Sequence, residues 1–238
     1  MSEKELKIGI DRFLALEWTD YALELFLSSK EEYLAYQKLR EYLDHEISGK
    51  DASRKTANQL KRLWLSRGDV YQDLRKFVLS IPKPNDRDIT PVFHLGMAIN
   101  VFPLFQDTCR KIGLLERVNS SLPKQTVVDR VMETYANPSS IPRIVARVLQ
   151  TLEDWKLINQ QDSRISIVTK VITDKDCAAW FILAMIKANN LMEVALSEVN
   201  RLPGNLGIIL PDVRQVLQNT PWLITTRNSQ GIEVVRVR

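Results

Sequence analysis

The chain has 238 residues, of which 45% are hydrophobic and 26% charged, a composition typical of a globular protein with one large or two small domains. No stretch approaches the roughly 18 apolar residues of a membrane span, and the N-terminal Met-Ser-Glu-Lys-Glu lacks a signal-peptide pattern. We therefore expect a cytoplasmic protein without membrane contact. The two cysteines, Cys109 and Cys177, fall in apolar helical stretches and are expected to be buried free thiols.

The net charge of +4 is unevenly distributed along the chain. Residues 1–49 carry six Lys or Arg and eleven Asp or Glu, whereas residues 50–76 carry eight and three. A local basic block of this kind is typical of a surface that contacts a polyanion, although a solvated helix face has the same pattern. The acidic first segment is a candidate docking surface for a partner protein.

The first third of the chain is predicted to form an α-helical domain over residues 1–81. Apolar residues recur at helical spacing in four stretches, which are Asp11–Ser28, Lys30–Ile47, Arg54–Leu65 and Val70–Leu79. Gly49 is expected near a helix end, and Ser53 is expected to be the N-cap of the third helix. Two prolines among charged residues predict a linker at 82–90.

Residues 91–173 show the order of parts of a winged helix-turn-helix. Helices are predicted at Pro91–Val101, Leu104–Leu115, Lys124–Tyr135 and Ile141–Leu157. A turn at Asn137-Pro138-Ser139-Ser140 separates the last two helices. The polar stretch 159–164 followed by β-branched residues 165–171 predicts a short hairpin, which is the wing.

The last helix of this unit is predicted to have one polar face. Its apolar residues fall at helical spacing, which leaves Arg143, Arg147 and Gln150 on one exposed stripe. A helix of this kind fits the major groove of DNA, where Arg143 and Gln150 are candidates for base edges and Arg147 for bases or phosphate. A solvated helix face is the alternative.

Further residues are candidates for contacts with the DNA backbone. Ser139 and Ser140 lie at the helix start, where backbone amides attract phosphate. Lys124 begins the preceding helix, and Arg164 lies in the wing. The basic block adds four cations on one helix, which are Arg54, Lys55, Lys61 and Arg62.

Residues 174–238 are predicted to close in a second winged-helix-like hairpin. Asp174 is a candidate cap for an apolar core helix at Lys175–Asn189, and a short helix follows at Asp212–Gln218. A hairpin is predicted from Trp222 to Val237. The predicted fold class is therefore mainly α with small β-hairpins.

No set of residues with catalytic, cofactor-binding or metal-ligating spacing is found. His45 and His94 have no partner at ligand spacing, and the chain has neither a Gly-rich phosphate loop nor a nucleophile elbow. We therefore expect a non-enzymatic protein without cofactor or metal. An active site assembled only by the fold is the alternative.

The order of these parts resembles that of the small helical DNA-binding accessory proteins of bacterial BREX phage-defence systems. Those proteins have an N-terminal helical region, a basic Ser/Thr-Ala-Lys/Arg helix, an apolar helical pair and a winged-helix half. The corresponding stretches here are Ser53-Arg54-Lys55-Thr56-Ala57-Asn58-Gln59-Leu60 and Ser139–Ile158, within a resemblance that covers residues 10–158. It implies a DNA-binding accessory protein of a defence system, without catalytic residues.

Together these observations favour a non-enzymatic protein that binds double-stranded DNA, as an accessory or regulatory component of a phage-defence or mobile-element system. A protein–protein scaffold is the alternative, because winged helices also serve as interaction surfaces.

Overall fold

The computed structural model describes residues 10–82, 84, 86–119, 121–135, 138–218 and 220–238. Over these residues the chain is mainly helical with small β-sheets, which confirms the predicted fold class at that level. Two sheets are antiparallel and three-stranded, and the third is a short parallel pair that the sequence did not predict. None of the described helices is long and apolar enough to cross a membrane.

Four α-helices and one π-helical turn form the first third of the described chain. They are α1 (Leu16–Ser28), α2 (Glu32–Glu46), α3 (Lys50–Leu60), the π-helical turn (Lys61–Leu65) and α4 (Gln72–Leu79). Helix α1 begins later than predicted, because residues 11–15 form an irregular segment instead of its first turn. The predicted linker at 82–90 lies partly outside the described residues.

The start of α3 corrects one prediction. Ser53 is not an N-cap, since the helix already begins at Lys50. Gly49 precedes it with a φ of +98°, a conformation that L side chains rarely adopt, so the glycine makes the turn. The Ser53 hydroxyl is buried and donates to Asp44 Oδ1, which makes it a tertiary contact rather than a cap.

The centre of the core is the crossing of two apolar helices, α5 (Thr90–Val101) and α9 (Lys175–Ala188). Every residue of α5 is buried, and α9 is the core helix that the sequence predicts. The helices approach closely at Gly96, where an added Cβ would lie 2.5 Å from Trp180 Cζ3. Asp174 caps α9 by accepting a hydrogen bond from the amide of Cys177 at 2.7 Å.

A group of three helices and three strands follows α5 along the chain. Its elements are α6 (Pro103–Glu116), β1 (Leu122–Pro123), α7 (Lys124–Met132), α8 (Ile141–Asp154), β2 (Ile158–Gln161) and β3 (Arg164–Ile167). The strands pair antiparallel in the order β1-β3-β2. Asp162 and Ser163 both have positive φ, as a tight two-residue hairpin turn requires. Helices α7 and α8 each end three residues earlier than predicted.

The same order of elements occurs a second time, beginning with α9. It continues through β5 (Glu193–Ala195), a 3-10 turn (Leu196–Arg201), α10 (Val213–Leu217), β7 (Leu223–Arg227) and β8 (Glu233–Val237). The strand order β5-β8-β7 matches β1-β3-β2 position by position. Strand β4 (Lys170–Val171) lies between the two groups and pairs in parallel with β6 (Ile208–Ile209), which precedes α10. The described chain therefore contains a structural repeat that its sequence does not show.

Hydrogen bonds from tryptophan side chains connect the three parts of the chain. Trp155 Nε1 donates to the carbonyl of Leu14 at 3.0 Å, and Trp180 Nε1 donates to the carbonyl of Leu74 at 2.8 Å. Buried apolar residues of all three parts form one hydrophobic cluster. These contacts join the predicted domains 1–81, 91–173 and 174–238. The division of the chain into these domains stays a prediction.

Candidate nucleic-acid interface

Helix α8 presents the predicted polar stripe to solvent. Its buried side includes Ile144 and Val148, which pack into the core, while Arg143, Arg147 and Gln150 are all exposed. Arg147 Nη1 donates to Gln150 Oε1 at 2.8 Å. Neither arginine forms an ion pair with any described acidic residue, so both positive charges remain available to an anionic ligand.

The turn before α8 places two serines at its N-terminal end. Residues Pro138–Ser140 form a 3-10 turn, and Ser140 is the residue immediately before the helix. The Ser140 hydroxyl makes no cap hydrogen bond, and Ser139 is exposed. Pro142 has no N–H, so the amides of Ile141 and Arg143 and the two serine hydroxyls are the donors that a phosphate could meet at this end of α8. Asn137, the first residue of the predicted turn, lies outside the described residues.

Lys124, at the start of α7, lies close to Arg164, which follows the turn at the tip of the wing hairpin. The amide of Lys124 donates to the carbonyl of Ser163 at 2.9 Å, which fastens α7 to the hairpin turn. Arg164 Nε donates to Ser121 Oγ at 2.8 Å, so part of this guanidinium ties the hairpin to the chain before β1. Arg164 remains exposed on its other side.

Several basic residues of α3 and the π-helical turn form ion pairs with acidic neighbours, unlike the two arginines of α8. Asp51 forms ion pairs with Arg54 at 2.7 Å and with Lys55 at 2.6 Å. The hydrogen bonds from Lys55 and Arg54 lower the pKa of Asp51 to about 2. Lys61 pairs with Glu32 of α2 at 2.9 Å, and the Arg62 guanidinium lies 5.3 Å from the centre of the Phe102 ring.

Residues 11–15, here called the strap, connect α3 to α8. Gln59 of α3 donates a hydrogen bond to Asp11 at one end of the strap. At the other end, the amide of Leu14 donates to Thr151 Oγ1 of α8 at 3.0 Å. The strap therefore spans the space between the basic helix and the last two turns of α8. Sequence analysis missed it, because Phe13 and Leu14 fit the apolar spacing of α1.

The second repeat differs from the first in its charges. Its short helix α10 exposes Arg214 and Gln215, and the exposed Gln218 follows it, but Arg214 forms an ion pair with Glu233 of β8 at 2.5 Å. Arg236 of the same strand pairs with Glu193. These two arginines of the second repeat are thus compensated within it, whereas those of α8 are not.

The described residues contain no group of three or more His, Cys, Asp or Glu side chains arranged to hold a metal ion. Burial raises the pKa of both cysteine thiols well above its usual value. His94 is fully buried, and its Nδ1 accepts a hydrogen bond from Trp64 Nε1 at 3.1 Å. Because indole is a donor only, the His94 proton lies on Nε2 and faces Asp20 Oδ1 at 2.8 Å.

Comparison of the chain with protein-family models, with curated proteins and with solved structures found no match.

Proposed function

We propose that this protein binds double-stranded DNA, with α8 entering the major groove. The observation that carries the proposal is the pair Arg143 and Arg147, one helical turn apart on an exposed face and without acidic partners among the described residues. An uncompensated arginine pair is suited to phosphate oxygens or to the O6 and N7 atoms of guanine.

The elements around α8 support this proposal. The order helix, strand, helix, helix, hairpin, with strand order β1-β3-β2, is the order expected of a winged helix-turn-helix. In such a module α8 is the recognition helix and the β2–β3 hairpin is the wing. Lys124 begins α7, Ser139 and Ser140 precede α8, and Arg164 lies beside the turn at the tip of the wing; we assign these four to the DNA backbone.

We place the basic helix at the edge of the same surface. Arg54, Lys55, Lys61 and Arg62 extend the footprint through long-range attraction, which Asp51 and Glu32 weaken by pairing with the first three. No catalytic step, cofactor or metal is part of the proposal. The resemblance to BREX accessory proteins extends it to a role in phage defence in the bacterial cytoplasm.

Fluorescence anisotropy with a labelled duplex tests the proposal. We expect the double variant Arg143→Ala/Arg147→Ala to weaken binding and to reduce the log–log salt slope by about 0.9 for each phosphate that the variant no longer neutralises. The matched control is Arg201→Ala/Arg214→Ala, which removes two guanidinium groups that already pair with Glu198 and Glu233. Equal weakening in both variants, or no binding of the wild type at about 50 mM salt, contradicts the proposal.

A protein–protein scaffold is the second candidate, and the surface of the second repeat favours it. Met192 is 88% exposed, and Ile224, Ile232 and Val237 of the terminal hairpin region are exposed as well. In the first repeat the exposed large hydrophobic side chains among the described residues are Leu114, near the end of α6, and Val118, just after it, and there are none from 121 to 167. The second repeat therefore presents more exposed hydrophobic side chains to a partner protein than the first repeat does.

A further inference from the structure

An acidic cleft of about 610 Å³ lies where α1, the start of α5 and the end of α8 meet. Glu17, Asp20, Glu24 and Asp154 line it. Asp20 already contacts His94, and Asp154 accepts a hydrogen bond from the amide of Leu16 at 2.6 Å. Glu17 and Glu24 form no ion pair with any described residue. Glu17 accepts a hydrogen bond from the neutral Tyr42 hydroxyl, which does not compensate its charge, so both carboxylates can attract a cation.

Two basic residues also line the cleft, so its charge is not purely negative. Arg87 precedes α5 and Lys156 follows α8. Four carboxylates against two cations leave an excess of two negative charges. This excess attracts cations, and an organic cation on a flexible stem suits the cleft better than a divalent metal ion, because the described residues offer no cluster with metal-ligand geometry.

A buried hydroxyl in the wall of the cleft points independently to a ligand. Thr90 is only 1% exposed and lines the cleft, yet its Oγ1 has no hydrogen-bond partner among the described residues. The hydroxyl lies near enough to Asp20 to help lower the pKa of that carboxyl, although it forms no bond of normal geometry. Buried polar atoms are almost always paired, so this oxygen is placed to accept a donor that enters the cleft.

The aromatic wall of the cleft suits a planar cation. The rings of Tyr21 and Tyr42 contact each other with centroids 4.5 Å apart and planes tilted by 47°, and both residues line the cleft. Burial, then the carboxylates of Glu17 and Glu46, raise the pKa of Tyr42 to about 12, which keeps this phenol neutral. A guanidinium group stacks on such rings and donates in a planar fork, whereas an ammonium group does neither as well.

We propose that this cleft binds the guanidinium group of an arginine side chain presented by a partner protein, with Glu17 and Glu24 as its counter-charges and Thr90 Oγ1 as an acceptor. The cleft contains neither Arg143 nor Arg147, although Asp154 and Lys156 also border the groove beside Arg147, and the proposal does not depend on DNA binding. It also gives the acidic N-terminal region a defined place at which to meet a partner.

Isothermal titration calorimetry with the capped peptide Ac-Gly-Arg-Gly-NH2 tests the proposal on the full chain. We expect saturable, millimolar binding that the lysine analogue of the peptide reproduces several-fold more weakly. Glu17→Gln/Glu24→Gln should weaken binding about tenfold. The matched control Glu31→Gln/Glu41→Gln removes two exposed carboxylates outside the cleft and should leave binding unchanged.

Thr90→Val separates binding from folding. The isosteric methyl group removes the acceptor together with the weak contact to Asp20, so we expect Thr90→Val to weaken peptide binding with only a small decrease in melting temperature. Absence of saturable binding, equal affinity for the lysine peptide, or equal weakening in the two glutamine pairs overturns the proposal. Agmatine is the second probe, and much tighter binding of agmatine than of the peptide would assign the cleft to a free small molecule instead.

Discussion

The backbone amide of Leu14 donates a hydrogen bond to Thr151 Oγ1 at 3.0 Å, although 137 residues separate the two along the chain. Trp155 Nε1 donates a hydrogen bond to the carbonyl of Leu14 at 3.0 Å. The strap is therefore held to the end of α8 through both the amide and the carbonyl of one residue. It packs against the end of α8 at the buried Thr151 and Trp155, and it leaves Arg143, Arg147 and Gln150 exposed.

We expect Thr151→Val to destabilise the protein by about 1–3 kcal/mol, because it leaves the buried amide of Leu14 without an acceptor. Thr151→Ser keeps the hydroxyl and should destabilise by only about 0.8 kcal/mol for the missing methyl group. Urea unfolding compares the two variants. Hydrogen exchange at Leu14 should accelerate in the valine variant alone, and equal exchange in both would show that the hydroxyl does not hold the strap.

The local spacing of apolar residues predicted most helices and hairpins of this fold. Features that depend on contacts between residues distant in sequence could not be predicted in this way. The stripe on α8 and the apolar character of α9 follow from helical spacing, so both could be predicted. The strap could not, because Leu14 also fits the apolar spacing of α1 and its acceptor is provided by another helix. For the same reason the sequence did not show that Lys61 is paired, since Glu32 lies on α2.

Close packing of α5 on α9 predicts opposite effects for two helical glycines. In Gly96→Ala the new methyl group would lie 2.5 Å from Trp180 Cζ3, so overpacking should cost about 1–3 kcal/mol. Gly113 of α6 has no atom within 4 Å of the corresponding position. Gly113→Ala should instead stabilise the protein by about 0.5–1 kcal/mol through helix propensity. Thermal unfolding of both variants checks the contrast, and a stable Gly96→Ala variant would contradict the close approach.

The burial of His94 predicts a decline in stability in mild acid. Burial lowers the pKa of His94 below its usual 6.5, and the hydrogen bond and charge of Asp20 oppose this without reversing it. The unfolded state therefore binds more protons than the folded state once the pH falls below about 6.5, and stability declines by at most about 1.4 kcal/mol per pH unit. Burial alone would raise the pKa of Asp20. The opposing interactions, of which the hydrogen bond to His94 is the largest, bring the pKa of this carboxyl below 3.8.

Any destabilisation from Asp20 is therefore confined to more acidic solution, and the range from about pH 6.5 to pH 5 reports on His94. His94→Gln should be less stable than the wild type at about pH 7.5 and should change less on acidification. Urea unfolding followed by tryptophan fluorescence measures both slopes. Parallel slopes would mean that the His94 imidazole is not the group responsible.

The ion pairs of Asp51 predict that removing this carboxylate strengthens DNA binding. The hydrogen bonds from Lys55 and Arg54 lower the pKa of Asp51 to about 2, so it is ionised near neutral pH. Asp51→Asn removes that charge and releases both cations. If α3 borders the bound duplex as proposed, the variant should bind more tightly at about 50 mM salt, and its log–log salt slope should steepen by about 0.9 for each phosphate newly neutralised.

Glu41→Gln is the control for that change, because it removes one exposed negative charge from α2 and breaks no described ion pair. A difference in net charge alone raises the affinity of both variants without a new contact, and so without a steeper slope. Only a released cation that reaches a phosphate steepens the slope, because the slope counts the counterions displaced. Identical slopes for Asp51→Asn and Glu41→Gln would therefore remove Arg54 and Lys55 from the interface and leave the α8 face as the proposed contact.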